Sequence, residues 1–209
     1  MSRPAPLLRW SSPARPDRQA AELRSAAFDD RPLDQALRRV AGDLAGARFL
    51  VVNVDVARPA DVRKGIDAFH AAGGTARVCL AGSRETLMQF PVGTLDNDRV
   101  GLLLDGVDAH TPCADLAWDR IEAVRFSPDF VVEAARHLRL GCVLESMLGL
   151  ARDMGLCTLG AHDAPGGASL SDRAAFDYLP IEALAAQPAY GSHRPKQRAP
   201  DPAPTAAHR

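Results

Sequence analysis

The chain is 209 residues long and 46% apolar, with 25 basic and 26 acidic side chains and a formal charge of −1. This length supports one sizeable core, so a single domain is expected. The balanced charge excludes the broad basic field of a nucleic-acid-binding protein, and the lack of any run of about 18 apolar residues excludes a helical membrane span.

In chain order, Leu7-Leu8-Arg9-Trp10 is a short apolar entry, and residues 11–18, rich in Pro, Ser and Arg, read as a loop. Residues 20–27 are expected to be helical. Asp30 caps a second helix, with Pro32 in its first turn and Gly46 past its end; Leu33, Leu37, Val40 and Leu44 recur between them at helical spacing. Residues 49–54 form an apolar run broken only by Asn53, which suits a strand buried on both faces. A helix over 61–72 is stopped by Gly73-Gly74. A strand over 76–81, a short helix over 83–90 and turn material over 91–98 follow. The next strand, 99–104, ends at Asp105-Gly106. Another strand covers 121–126, and a helix with proline at its start covers 128–138. Val143, Leu144, Met147, Leu148, Ala151 and Met154 give an apolar stripe, read as core. A strand over 156–159 leads into a small-residue loop over 160–169.

Strand and helix therefore alternate, which calls for parallel strands and an α/β sheet or barrel. In such folds the chemistry sits at the carboxyl ends of the strands. From residue 187 the composition turns to Pro, Ala, Arg and His, which cannot build a core; 1–186 is expected to be the domain and 187–209 a disordered tail.

Four cysteines (Cys79, Cys113, Cys142, Cys157) are widely spaced, with no C-x-x-C or Cys/His cluster. They read as free, buried, reduced thiols of a cytoplasmic protein, without a zinc site. Pro4, Pro6 and Arg9 stand where a leader would be charged and then apolar, so no signal peptide is expected. Lysine occurs only at Lys64 and Lys196, and the arginine excess reads as the composition bias of a GC-rich bacterial genome. His110 and His162 lie on loops after strands and could pair on a metal with Asp105 or Asp163, although no fixed spacing supports it. His70 sits at a helix end, and His137 reads as structural. Gly166-Gly167 lacks the context of a phosphate loop.

The order of several motifs resembles the EAL domain, the bacterial family that hydrolyses cyclic di-GMP. Leu7-Leu8-Arg9-Trp10 followed by Pro13 is similar to its E-A-L-L-R-W-x-x-P. Phe49 to Asn53 looks like its strand ending in Asn. Leu103-Leu104-Asp105-Gly106-Val107 sits where the family has L-D-D-F-G. Val124-Arg125-Phe126-Ser127 is similar to L-K-I-D, and Leu150-Ala151-Arg152-Asp153-Met154-Gly155-Leu156 to L-A-R-x-L-G-L. The match covers roughly 5–165. The resemblance implies a TIM-barrel-like parallel β/α barrel with an antiparallel first pairing, incomplete or open at both chain ends. The late Q-G segment is not recognisable, and 176–184 stands as its remnant.

Members of the family cleave a phosphodiester with two divalent ions held by carboxylates, hard oxygen ligands that offset the ions' repulsion. By the resemblance, the Glu of E-A-L becomes Ala5, and the acid of the E-L-T-E segment falls near Ala81 to Ser83. The second Asp of D-D-F-G becomes Gly106, the Asp of K-I-D becomes Ser127, and the two Glu of A-E-G-V-E become Ala161 and Ala164. Asn53 and Asp105 survive, and Arg125 matches the lysine that positions water. Arg stays protonated and makes a poor base. No catalytic residue, no metal site and no cofactor are therefore expected; Mg²⁺ or Mn²⁺ enters only if Asp108 or Asp163 replaces a lost acid. Leu7, Arg9, Asn53, Asp105 and Arg125 are candidate contacts to cyclic di-GMP. The expectation is an inactive EAL-like domain acting in bacterial signalling through an unidentified protein partner. Its rivals are a non-hydrolysing receptor, an active phosphodiesterase with shifted ligands, and an unrelated α/β protein. An unclosed sheet edge would favour a homodimer.

Overall fold

The computed structural model describes residues 7–15, 17–23, 32–44, 46–54, 59–95, 98–112, 115–160 and 176–180. Eight strands form one sheet: β1 (Leu7–Ser11), β2 (Gln19–Leu23), β3 (Ala47–Asn53), β4 (Arg77–Gly82), β5 (Val100–Val107), β6 (Ile121–Phe126), β7 (Cys157–Leu159) and β8 (Leu179–Pro180). Their order is β7-β6-β5-β4-β3-β2-β1-β8. From β2 to β7 every pairing is parallel, whereas β1 runs antiparallel to both β2 and β8. The seam between β7 and β8 is held by one parallel bridge, Leu159 to Tyr178, with hydrogen bonds from Tyr178 N to Thr158 O and from Gly160 N to Tyr178 O. The sheet is thus a nearly closed, TIM-barrel-like β/α barrel whose seam is bridged and not fully laddered. The edges considered for pairing with a second copy are thus partly joined within the chain.

Helices α1 (Leu33–Val40), α2 (Pro59–Ala71), α3 (Arg84–Gln89), α4 (Pro128–Arg136) and α5 (Leu138–Asp153) supply the crossovers. Their apolar faces join the outer residues of the sheet in one core, which includes Leu37, Ile66, Leu80, Phe126 and Leu144. The barrel interior is filled by a second core of Leu8, Trp10, Phe49, Cys79, Leu103, Cys157, Leu159 and Tyr178. The Phe49 and Tyr178 rings meet edge to face at 5.2 Å. Alternating side chains along each strand produce these two layers.

Three elements depart from the sequence reading. Residues 20–23 of the expected helix of 20–27 belong to strand β2; cross-strand partners on both sides outweigh the local helix preference of Ala, Glu and Leu. Strand β5 does not stop at Asp105-Gly106. It continues to Val107 through a bulge, since Leu104 pairs with Val124 and the next pair is Val107 with Phe126. The stripe of 143–154 is only partly core: Leu144, Leu148 and Ala151 are buried and Met147 is half-buried against them, while Val143 and Met154 are exposed, as is Leu150 beside them. Residues 161–175 and the tail 187–209 lie outside the described residues.

Candidate functional site

At the carboxyl ends of the parallel strands, register decides which side chains point inward. Cross-strand partners share a face, so Glu22, opposite Val51, lies on the inner face together with Asn53, opposite Ala81. Asp105 faces inward by alternation, two positions after the interior residue Leu103, and the bulge that follows returns Val107 to the outer face. Its neighbour Gly106 adopts φ +72°, a conformation that glycine takes without strain, and the Gly106 amide donates to Asp105 Oδ1 at 2.8 Å. Arg125 comes from the end of β6, opposite Leu159.

Arg125 spans this mouth. Its Nε donates to Asp105 Oδ1 at 2.8 Å and its Nη2 to Asp105 Oδ2, a fork-to-fork pair. Its Nη1 donates to Glu22 Oε1 at 2.8 Å and Oε2 at 2.7 Å. The three side chains are mostly buried, with exposures of 14% for Arg125, 15% for Glu22 and 25% for Asp105. Burial alone would lower the Arg125 pKa, but its hydrogen bonds to Asp105 and the charges of Glu22 and Asp105 outweigh it, so the guanidinium is held well above its ordinary range. It is a permanent cation between two carboxylates and cannot serve as a base.

A pair of divalent ions, which the EAL resemblance would imply, does not fit this donor set. Both carboxylates already spend their oxygens on the guanidinium. The inner position at the end of β4 is the methyl group of Ala81, fully buried in the barrel interior. Ser83 is the N-cap of α3, its Oγ accepting from Thr86 N at 3.3 Å. Glu85 is exposed beside Arg84. Asp108, a possible substitute ligand, is turned into its own loop: its Oδ1 accepts from Thr111 Oγ1 and from the His110 amide, each at 2.8 Å. Among the described residues no group of three or more His, Cys, Asp or Glu could hold a metal ion. Ala5, Ala161, His162, Asp163 and Ala164 lie outside the described residues.

The candidate residues divide. Asn53, Asp105 and Arg125 come together at the mouth. Leu7 and Arg9 do not: they pair with Leu23 and Ala21, which face the helices, so both lie on the outer face of the barrel. Arg9, expected as a phosphate contact, is thus placed on the outer face by the alternation of β1. Glu22 was not anticipated. The acid of the opening motif was expected at residue 5 and found replaced by alanine, yet a glutamate stands at the mouth on β2. The signal for it was the Ala21-Glu22-Leu23 tripeptide, hidden by reading 20–27 as helix. Among the described residues the histidines make no cluster. His110 is exposed, His70 Nδ1 bonds the Gly74 carbonyl at 2.9 Å, and His137 is exposed at the joint of α4 and α5. Cys79 and Cys157 are buried and free as expected; Cys142 is free but exposed, and Cys113 lies outside the described residues.

No family model and no curated protein matches the chain. Solved structures do. The EAL domain of DcpA from Mycobacterium smegmatis aligns with a TM-score of 0.60 and 15% identity, over 83% of this chain and 88% of that one. The PaMucR phosphodiesterase in complex with c-di-GMP aligns at 0.58 and 16% identity, over 83% and 87%. The FimX EAL domain from Pseudomonas aeruginosa bound to c-di-GMP aligns at 0.58 and 9% identity, over 83% and 86%. The chain has the fold of the EAL domain.

Proposed function

We propose that this chain is a catalytically silent EAL-like domain that acts in bacterial signalling by contact with another protein. One observation carries the reading: the cation at the mouth is the guanidinium of Arg125, bound to both Glu22 and Asp105. Two divalent ions would have to displace it and still find further acids on a face that offers Ala81 and Asn53. The exposed apolar side chains Val143 and Leu150 of α5 and Met154 at its C-cap support protein contact, since their spacing places them on one helical face. A cytoplasmic place belongs to this reading; among the described residues no helix is long and apolar enough to cross a membrane.

A second reading, a receptor that binds cyclic di-GMP without cleaving it, is favoured by the neighbours solved with that ligand. It must do without Arg9, which faces outward, and it must draw Arg125 away from two carboxylates. Incubation of the protein with cyclic di-GMP and Mn²⁺, followed by chromatography, is expected to return the dinucleotide intact; a linear product would overturn the silent reading. Titration calorimetry with the dinucleotide separates the two readings. Absence of heat supports pure protein contact, and saturable heat supports the receptor.

A further inference from the structure

We propose that the opposite end of the barrel carries a binding pocket for a compact phosphate monoester, built from Arg15, Arg18, Arg48 and Arg152. A cavity of about 290 Å³ opens there, lined by the β1–β2 hairpin, the start of β3, the end of α5 and the turn into β7, and the segment before β8. It lies at the amino ends of the parallel strands, away from Arg125, and its argument is independent of how the mouth is read.

Four guanidinium groups line this cavity against one carboxylate, Asp177. That carboxylate is already occupied: Asp177 Oδ2 accepts from Thr158 N at 2.9 Å and from Thr158 Oγ1 at 3.0 Å. Among the described residues none of the four arginines pairs with a carboxylate, in contrast to Arg125 and to Arg77, which pairs with Glu122. In a chain of net charge −1 this is a local concentration of positive charge. Like charges gathered around one space repel unless an anion joins them. The hairpin holds two of the arginines in place, with Ser12 N donating to Arg18 O at 3.1 Å and Arg18 N to Arg15 O at 2.8 Å. Tyr178, 1% exposed, also lines the cavity, and its buried hydroxyl lacks a hydrogen-bond partner of good geometry, although the Arg48 guanidinium lies beside it.

Guanidinium forks match phosphate oxygens in pairs, and a buried tyrosine hydroxyl adds a neutral donor. The volume stands at the low end of small-molecule sites. It suits a phosphate with a small organic body, such as a sugar phosphate or a mononucleotide, and is too small for a dinucleotide.

The test uses the full chain in chloride buffer at constant ionic strength. Inorganic phosphate, ribose 5-phosphate and adenosine 5′-monophosphate are titrated by calorimetry. Saturable binding of at least one monoester, tighter than inorganic phosphate, is expected. Arg48→Gln should weaken it roughly tenfold or more, the loss of a charge-assisted hydrogen bond. Arg152→Gln, at the exposed end of α5, should do likewise and covers the case in which Arg48→Gln fails to fold. Arg9→Gln removes the same charge from the outer face and should change nothing. Absence of saturable binding by any of the three, or equal weakening by Arg9→Gln, would overturn the proposal.

Discussion

Arg125 is the residue on which the mouth turns. Because it satisfies two carboxylates that face one another, Arg125→Met should leave Glu22 and Asp105 in mutual repulsion and lower stability by about 3 kcal/mol in urea denaturation. Adding Glu22→Gln should restore much of that loss, giving a large coupling in a double-mutant cycle; purely additive effects would mean that the two side chains do not interact. The thiols differ in the same spirit. Burial pushes the Cys79 and Cys157 pKa values up, which keeps them as unreactive thiols, whereas Cys142 is exposed. In a Cys113→Ser background, native protein should therefore take up one equivalent of a thiol reagent at mildly alkaline pH, and three equivalents would contradict the buried positions. Asp108 titrates in the opposite sense. The hydrogen bond from Thr111, followed by that from the His110 amide, holds its carboxyl below the ordinary range. A depressed carboxyl contributes stability above its unfolded pKa, near about 4, and loses it as pH falls through the folded value. The protection of the His110 amide, measured relative to its intrinsic exchange rate at each pH, should thus be present at neutral pH and fall below about pH 4. Equal protection in acid would show that the Asp108 bond is not what holds the turn.

At the level of elements, the bulge in β5 and the two-sided character of α5 make distinct demands. Gly106 has open space where a methyl group would stand but a φ of +72°, so Gly106→Ala should cost about 1 kcal/mol through backbone strain alone. On α5, Leu148→Ala empties a packed position and should cost about 2–5 kcal/mol, while Leu150→Ala, at a residue 60% exposed, should stay within about 0.5 kcal/mol. Comparable losses at both positions would mean that the outer face of α5 is covered. These elements also mark how far the sequence could be read. Strands β3 and β4 carry their conformation in their own composition, short apolar runs that contain β-branched residues, and helices α2 and α4 carry theirs in apolar spacing and terminal Gly or Pro. Strand β2 does not: Gln19-Ala20-Ala21-Glu22-Leu23 has the composition of a helix and becomes a strand through its neighbours. That hid Glu22, whose partner lies 103 positions away along the chain. The same limit applies to α5, where apolar periodicity shows a stripe wider than the surface that the barrel can cover. It also applies to Arg9, because one strand's alternation does not say which face is the interior until β1 is paired.

At the scale of the whole molecule, the barrel presents two charged ends with different balances. The carboxyl end holds two acids and one guanidinium in a closed ion network, and the amino end gathers four guanidiniums around a cavity. The fold was legible from the alternation of strands and helices and from motif order, and the antiparallel first pairing followed as expected. Closure was not, because the seam depends on Tyr178 reaching Leu159 from a segment without strand-like length. The basal cavity was not legible either, since its arginines are scattered from position 15 to 152 and only the barrel brings them together. The account of the mouth depends on Arg125 standing where divalent ions would need to sit. Titration calorimetry of Mn²⁺ into the protein tests this most directly. The account predicts no saturable heat in the native chain; two saturable Mn²⁺ sites, lost on Glu22→Gln or Asp105→Asn, would contradict it.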